Sequence, residues 1–293
     1  MTGLAVLLAA LVLLNGGPAM ALNPPWSRSA RDAAKGISPS GRPPQASSLQ
    51  EVDPPLAVQQ LQAALSGHQP VVEILSPRDD SLLNGEPWSL RLRLHDWPLV
   101  DAGPLGYGPH LRVQIDQEPP LIWTGLEGTL PPLSPGSHRI SVYAALPWGE
   151  AIKSPGALQQ IRLHRAAANP LSLPAPGTPQ LLPVSPSGQV GAEPLLLDWL
   201  LLDAPLQNLR GADSQWRLRA QINGETFLLD RQTPLWLRGW RSGLNALRLE
   251  WLDGRGDPLN PPFNSLVTEV ERSAAAAAPR WLGDRLTEEE LAV

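Results

Sequence analysis

Along WSLRLRL, residues 88–94, apolar and polar positions alternate: Trp88, Leu90, Leu92 and Leu94 fall on one side, Ser89, Arg91 and Arg93 on the other. A period of two is what a strand shows when one face is buried and the other wet. HLRVQID repeats the pattern with Leu111, Val113 and Ile115 inward, HRISVYA with Ile140 and Val142, and IRLHR with Ile161 and Leu163. Turn signals such as Leu-Asn-Gly, Pro-Gly and Pro-Trp-Gly separate these runs at short spacing, which predicts an antiparallel β-sandwich. A helical period occurs in LAVQQLQAALSG, where Val58, Leu61 and Leu65 share a face. Asp53 is read as its cap, with Pro54 and Pro55 in the first turn and Gly67 as the stop. Without a basic rim on its face, this helix is expected to dock on the first domain, ahead of a dimerisation or membrane-surface role.

The pattern then recurs. Shifted by 107, residues 86–165 fall on 193–272 with 18 identities in 80 ungapped positions, where unrelated sequences of this composition would give roughly five or six. Glu86-Pro87 meets Glu193-Pro194, Asp96 meets Asp203, Pro98-Leu99 meets Pro205-Leu206, LRVQID meets LRAQIN, Gly136 meets Gly243 and Arg165 meets Arg272. Ser76-Pro77 and Ser185-Pro186 correspond at a shift of 109. The expected fold class is therefore all-β, two tandem immunoglobulin-like antiparallel sandwiches over 70–167 and 181–273. The order of SP, NGEPW, HLRVQID, LSPGSHRISVYA and IRLHR resembles the bacterial immunoglobulin-like or fibronectin type III-like modules of envelope and secreted proteins. It also resembles, more distantly, envelope proteins of cyanobacteria with GPHLRV and PW-x-E elements. The resemblance implies binding or scaffolding by analogy of fold, and carries no catalytic residues across.

Outside the sandwiches the composition changes. Residues 1–21 begin with an apolar run, Leu4 to Leu14, and end in Ala19-Met20-Ala21, the form of a cleavable secretory leader, so an exported, periplasmic or extracellular protein beginning near Leu22 is expected. Eleven apolar residues are too few for a spanning helix of about 20, and membrane contact follows only if the leader stays on. Residues 22–55 read as a disordered neck rich in Pro and Ser, 56–67 as the short helix, 168–180 as a proline-rich linker and 274–293 as an alanine-rich flexible tail, with a short docking peptide around Trp281, Leu282 and Leu286 as the alternative. Thr287 and Glu290 match a capping box, but with three residues following, a stable helix is not expected there.

Charge and composition narrow the function. The net charge is -5, the basic residues form no run, and no nucleic-acid footprint results. Cysteine is absent, which removes disulfides, thiolate metal sites and cysteine nucleophiles. No cofactor motif, hydrolase elbow or calcium loop occurs, and no enzyme is predicted. His110 is read as an outward, solvated residue beside Arg112 and Gln114, since the second copy has Arg217 there; a metal site from His95, Asp96 and His110 is the sharper alternative. Asp96 and Asp203, and Glu86 and Glu193, are read as turn and structural residues.

Candidate binding residues come from two sources. Ser89, Arg93 and His95 of the first copy become Leu196, Leu200 and Leu202 in the second, leaving Asp198 alone polar on an apolar strip. Such a strip must be covered by the other domain, the N-terminal helix or a partner. The aromatics Tyr107, Trp123, Trp148, Trp236 and Trp240 are placed in or near loops, where exposed rings could stack on sugars, and Glu150 and Lys153 flank Trp148 in a candidate binding loop. The reading is a non-catalytic binding or scaffold protein, with an envelope protein or cell-wall polysaccharide as partner. The alternatives are a carbohydrate-binding module on the loop tryptophans, then a hydrolase or metal-dependent enzyme.

Overall fold

A computed structural model describes residues 49–101, 106, 108–203, 217–229, 231–276 and 278–291. The leader, the neck up to residue 48, Tyr107 and Pro205-Leu206 lie outside the described residues. From Ser47 onward the chain forms a single compact unit. It opens with strand β1 (Gln50–Val52) and helix α1 (Leu56–Leu65). The first sandwich follows as β2 (Val71–Ser76), β3 (Ser81–Leu83), β4 (Trp88–His95), β5 (His110–Ile115), β6 (Leu121–Trp123), β7 (Glu127–Leu130), β8 (Gly136–Ala145) and β9 (Leu158–Arg165). The second comprises β10 (Gln180–Ser185), β11 (Gly188–Val190), β12 (Leu195–Leu202), β13 (Arg217–Ile222), β14 (Glu225–Leu229), β15 (Leu235–Arg238), β16 (Gly243–Leu252), the turn-like α2 (Pro261–Asn264) and β17 (Ser265–Arg272); α3 (Glu288–Leu291) ends the described chain.

In the first sandwich a sheet ordered β2-β4-β7 faces one ordered β3-β9-β8-β5-β6, and the second repeats this as β10-β12-β15 and β11-β17-β16-β13-β14. β4, β5, β8 and β9 recur 107 residues later as β12, β13, β16 and β17. The recurrence reaches backbone conformation: Asp96 and Asp203, Asp116 and Asn223, and Gly136 and Gly243 all have positive φ. These are the turn positions where Asp, Asn and Gly are tolerated. Each sandwich closes over its own core, with Leu90, Leu111, Val113, Ile140 and Leu163 in one and Leu197, Trp199, Leu218, Ile222 and Leu249 in the other. At about 1.5–3 kcal/mol for each buried Leu, Ile or Val, these cores dominate stability.

Several expectations about the connections are corrected. The neck ends before β1, which pairs antiparallel with β15 and adds a fourth strand to the β10-β12-β15 sheet. Asp53 does not cap α1: Pro55 stands at the cap without a side-chain bond, and the helix stops at Leu65. The tail is not a free end. Its single turn at Arg280–Leu282 packs on α1, Gln60 exchanges two hydrogen bonds with the backbone of Leu286, and Trp281 meets Trp236 edge-on at 5.9 Å. The capping box does form, with Glu290 N donating to Thr287 Oγ1 and Thr287 N to Glu290 Oε2, and Arg280 pairs with the same glutamate. Tertiary contact supplies what four residues of helix lack on their own.

The two sandwiches meet face to sheet. Tyr143, Ala151 and Leu158 of the first pack on Leu182, Val184 and Leu200 of the second. Polar ties surround this centre: Arg139 Nη1 donates to Gln180 Oε1 at 2.7 Å, Arg112 Nη1 to Val184 O at 2.9 Å, and Ala151 N to Asp198 Oδ2 at 2.8 Å. β8 is consequently buried on both faces, whereas its counterpart β16 keeps exposed residues along its outer side. The apolar strip of the second copy thus faces the first copy.

Candidate functional site

Placing the predicted site residues one by one separates packing from candidate function. Leu200 is buried in the inter-sandwich contact and Leu202 is half-buried at the end of β12. Leu196 lies opposite Trp236 in register and joins the cluster formed by α1 and the first core. Lys153 Nζ and Asp198 Oδ1 form an ion pair at 2.7 Å, with Asp198 0% exposed. Glu150 Oε2 accepts from Trp148 Nε1 at 2.8 Å, and burial, followed by the charge of Asp198, pushes its carboxyl up. The loop around Trp148 is therefore a staple between sandwiches, and Glu150 and Lys153 are spent on it.

The tryptophans are not the exposed platforms anticipated. Trp148, Trp236 and Trp240 are buried, the last in the core of the second sandwich. Trp123 is half-buried and lies on Gly128, where a Cβ would come within 2.2 Å of its ring. Its indole packs against the first core over the face of β7 at Gly128. What loop placement missed is that β15 and β6 are strands of only four and three residues, too short to display alternation.

His110 and Gln114 are also corrected. Both are 1% exposed, on the face from which Arg112 between them reaches Val184 of the second sandwich. His110 Nδ1–H donates to Gly108 O at 2.8 Å, and Arg112 Nε donates to His110 Nε2 at 3.5 Å. Burial, with a smaller contribution from the Arg112 charge, lowers its pKa to about 4 against the opposing Gly108 bond, so it is a neutral acceptor that orients Arg112. His95 is exposed on the other sheet, and Asp96 binds His68 Nδ1 and the amide of Gln69, so the metal trio is not assembled. Among the described residues, no three His, Asp or Glu side chains gather as ligands for one ion.

Two Ser–His–Asp arrays occur in the first sandwich. Ser137 Oγ meets His164 Nδ1 at 2.7 Å and His164 Nε2 donates to Asp80 Oδ1 at 2.9 Å; Ser137 is buried and its Oγ also accepts from Asn169 N. In the other, His138 Nδ1 donates to Asp116 Oδ2 at 2.7 Å, while Nε2 lies 2.9 Å from Ser134 O and 3.3 Å from Ser134 Oγ. Nε2 lies closer to the Ser134 carbonyl than to its hydroxyl, which is not the arrangement of a base aimed at the serine. The second copy makes the same clamp without ionisable groups: Asn223 Nδ2 donates to Asn245 Oδ1, and Asn245 Nδ2 donates to Arg241 O. The array is a turn clamp in both copies.

What remains is a cleft of about 310 Å³ where both sandwiches and the tail converge, lined by Arg112, Trp148, Ser185, Gln189, Leu196 and Trp281 among others. Among the described residues Arg112 is the one charged side chain lining it, and no acid does. The guanidinium lies against Gly149, whose φ of +89° and missing Cβ leave it room: a Cβ would stand 2.0 Å from Nη2. A cleft with convergent polar groups beside apolar walls, at a domain junction, is a common form of small-ligand site. Of the predicted residues, Trp148 and Leu196 are brought together here with Trp236 behind them. Arg112 and Trp281 were missed; the lone arginine on an outward position is visible in sequence, but its covering is not.

No family model matches this chain, and no curated protein matches it. Among solved structures, the fibronectin(III)-like modules of Clostridium thermocellum CbhA are 12% identical, over 71% of this chain and 98% of theirs, with a TM-score of 0.25. SGBP-B of the Bacteroides ovatus mixed-linkage glucan utilization locus, in complex with a mixed-linkage heptasaccharide, is 9% identical over 69% of this chain and 70% of its own, with a TM-score of 0.21. The tandem V-type regions of the chitin binding protein VCBP3 are 8% identical over 69% and 99%, with a TM-score of 0.19.

Proposed function

We propose that this is an exported, non-catalytic binding protein in which two immunoglobulin-like sandwiches form one body and the ligand is taken at their junction. The observation that carries the reading is the cleft of about 310 Å³ built from both sandwiches and the tail. Its size suits a small molecule or the end of a glycan chain, since a stable protein interface occupies about 800 Å² on each partner. The covering of Leu200 by the first sandwich removes the apolar strip as a docking surface for a separate protein. Export rests on the leader, and the non-catalytic reading on Ser137 being buried with its Oγ bonded by Asn169 N and on the Ser134 array being a turn clamp.

The test uses the chain from Leu22 onward, presented with cell-wall polysaccharides and with the small-molecule fraction of envelope extract. An Ala192→Trp variant, which plugs the cleft from its rim, runs beside it. Material retained by the parent and lost by an equally stable plugged variant supports the site; retention indifferent to the plug overturns it. A fluorophosphonate probe that labels Ser134 or Ser137 in the folded protein would overturn the non-catalytic reading. Mass spectrometry of the protein from its own cells is expected to show an amino terminus near Leu22.

A further inference from the structure

We infer that the junction cleft selects a carboxylate ligand carrying a ring, the carboxylate meeting Arg112 and the ring lying against Trp281. The inference rests on reading the cleft as the binding site and adds the chemistry of what it binds. Arg112 is half-buried, and its hydrogen-bond partners among the described residues are neutral: the carbonyl of Val184 and the imidazole of His110. No ion pair to it occurs among the described residues, whereas Lys153, deeper in the same junction, has Asp198. A half-buried guanidinium with no acid beside it among the described residues, in a recess of mixed polar and apolar lining, favours an anion over a neutral group through charge-assisted hydrogen bonds. A planar carboxylate matches the guanidinium fork, and its single charge suits a recess with one cation among the described residues.

The rest of the lining sets the ligand's body. Trp281 is half-exposed, is held edge-on by Trp236, and offers an apolar face to a sugar or aromatic ring. Ser185, Ser187 and Gln189 supply neutral donors and acceptors for hydroxyls, and among the described residues no acidic side chain lines the cleft to repel the carboxylate. The same chemistry is found in an acidic sugar of a wall polysaccharide and in a free small aromatic acid.

Titration calorimetry on the chain from Leu22 onward uses glucuronate against glucose and benzoate against benzyl alcohol, with tryptophan fluorescence as a second readout. The expected result is that at least one carboxylate binds about ten-fold or more tighter than its neutral counterpart. Glucuronate points to a glycan source and benzoate to a free acid. Arg112→Gln is expected to abolish the preference while Arg112→Lys restores part of it. Each variant's melting temperature shows whether loss of the Val184 bond has loosened the junction, and Trp281→Ala, which leaves Arg112 in place, is expected to weaken both members of a pair. Neutral analogues binding as well as acids, or a preference surviving in Arg112→Gln, overturns the carboxylate inference and leaves the cleft reading standing. No binding of any of the four probes overturns the inference, and the plug experiment then decides separately whether the cleft binds anything.

Discussion

Acidification should weaken the junction through one residue, His110. Its imidazole is 1% exposed and its pKa is held down, chiefly by burial, from 6.5 to about 4. Because the folded-state pKa lies below the unfolded one, the folded protein resists protonation. This contribution to stability is complete above pH 6.5 and is lost as the pH falls from 6.5 toward 4. The gap, 6.5 minus about 4, corresponds to about 3 kcal/mol in full, with about 1 kcal/mol lost by pH 5.5 and about 2 to 3 kcal/mol by pH 4.5. Urea denaturation of the parent and of His110→Gln at pH 7.5, 6.5, 5.5 and 4.5 measures it, since subtracting the two curves cancels the titration of the carboxylates. The parent is expected to lose ground to the variant as the pH falls. A difference that stays constant from pH 7.5 to 4.5 would refute the assignment of His110 as a buried neutral acceptor.

The junction makes further predictions. Leu200→Arg places a guanidinium among Tyr143, Leu182 and Val184, where the first copy carries Arg93 on a wet face. It should cost about 3 kcal/mol or more in urea denaturation, and a variant as stable as the parent would mean that the strip is exposed. Asp198→Ala leaves the Lys153 ammonium unpaired in the interface and should cost about 3–5 kcal/mol, while adding Lys153→Met should recover a large part of it. Truncation after Ser273 removes Trp281 and Leu286 from Trp236 and α1. A fall in melting temperature of about 5 °C or more is expected, and an unchanged melting curve would show that the tail does not bear on the body.

Comparing the copies made part of the junction legible in the sequence. Arg93 and His95 against Leu200 and Leu202, and Asp198 alone among leucines, marked a face requiring cover, and one of the two lysines in the chain, Lys153, is its ion-pair partner. The tryptophans were misplaced for a physical reason: in β6 and β15 the alternation is too short to read, and Trp148 sits in a turn that folds back onto the other sandwich. The histidine parity was right and its solvent exposure wrong, because parity specifies which face of a sheet a residue occupies and not what lies over that face.

The strands, their inward faces and the turn positions shared by Asp96 and Asp203 are consequences of local chemistry: the pleat sends successive side chains to opposite sides, and short polar residues tolerate positive φ where the chain reverses. These the sequence determined by itself. The pairing of β1 with β15, the docking of the tail on α1 and the cleft around Arg112 were decided by the tertiary structure. Each joins residues far apart in the chain, Gln50 with Arg238 and Gln60 with Leu286, and depends on two finished surfaces meeting. No local period encodes that meeting; it follows from which apolar faces are left uncovered once each sandwich has closed over its own core.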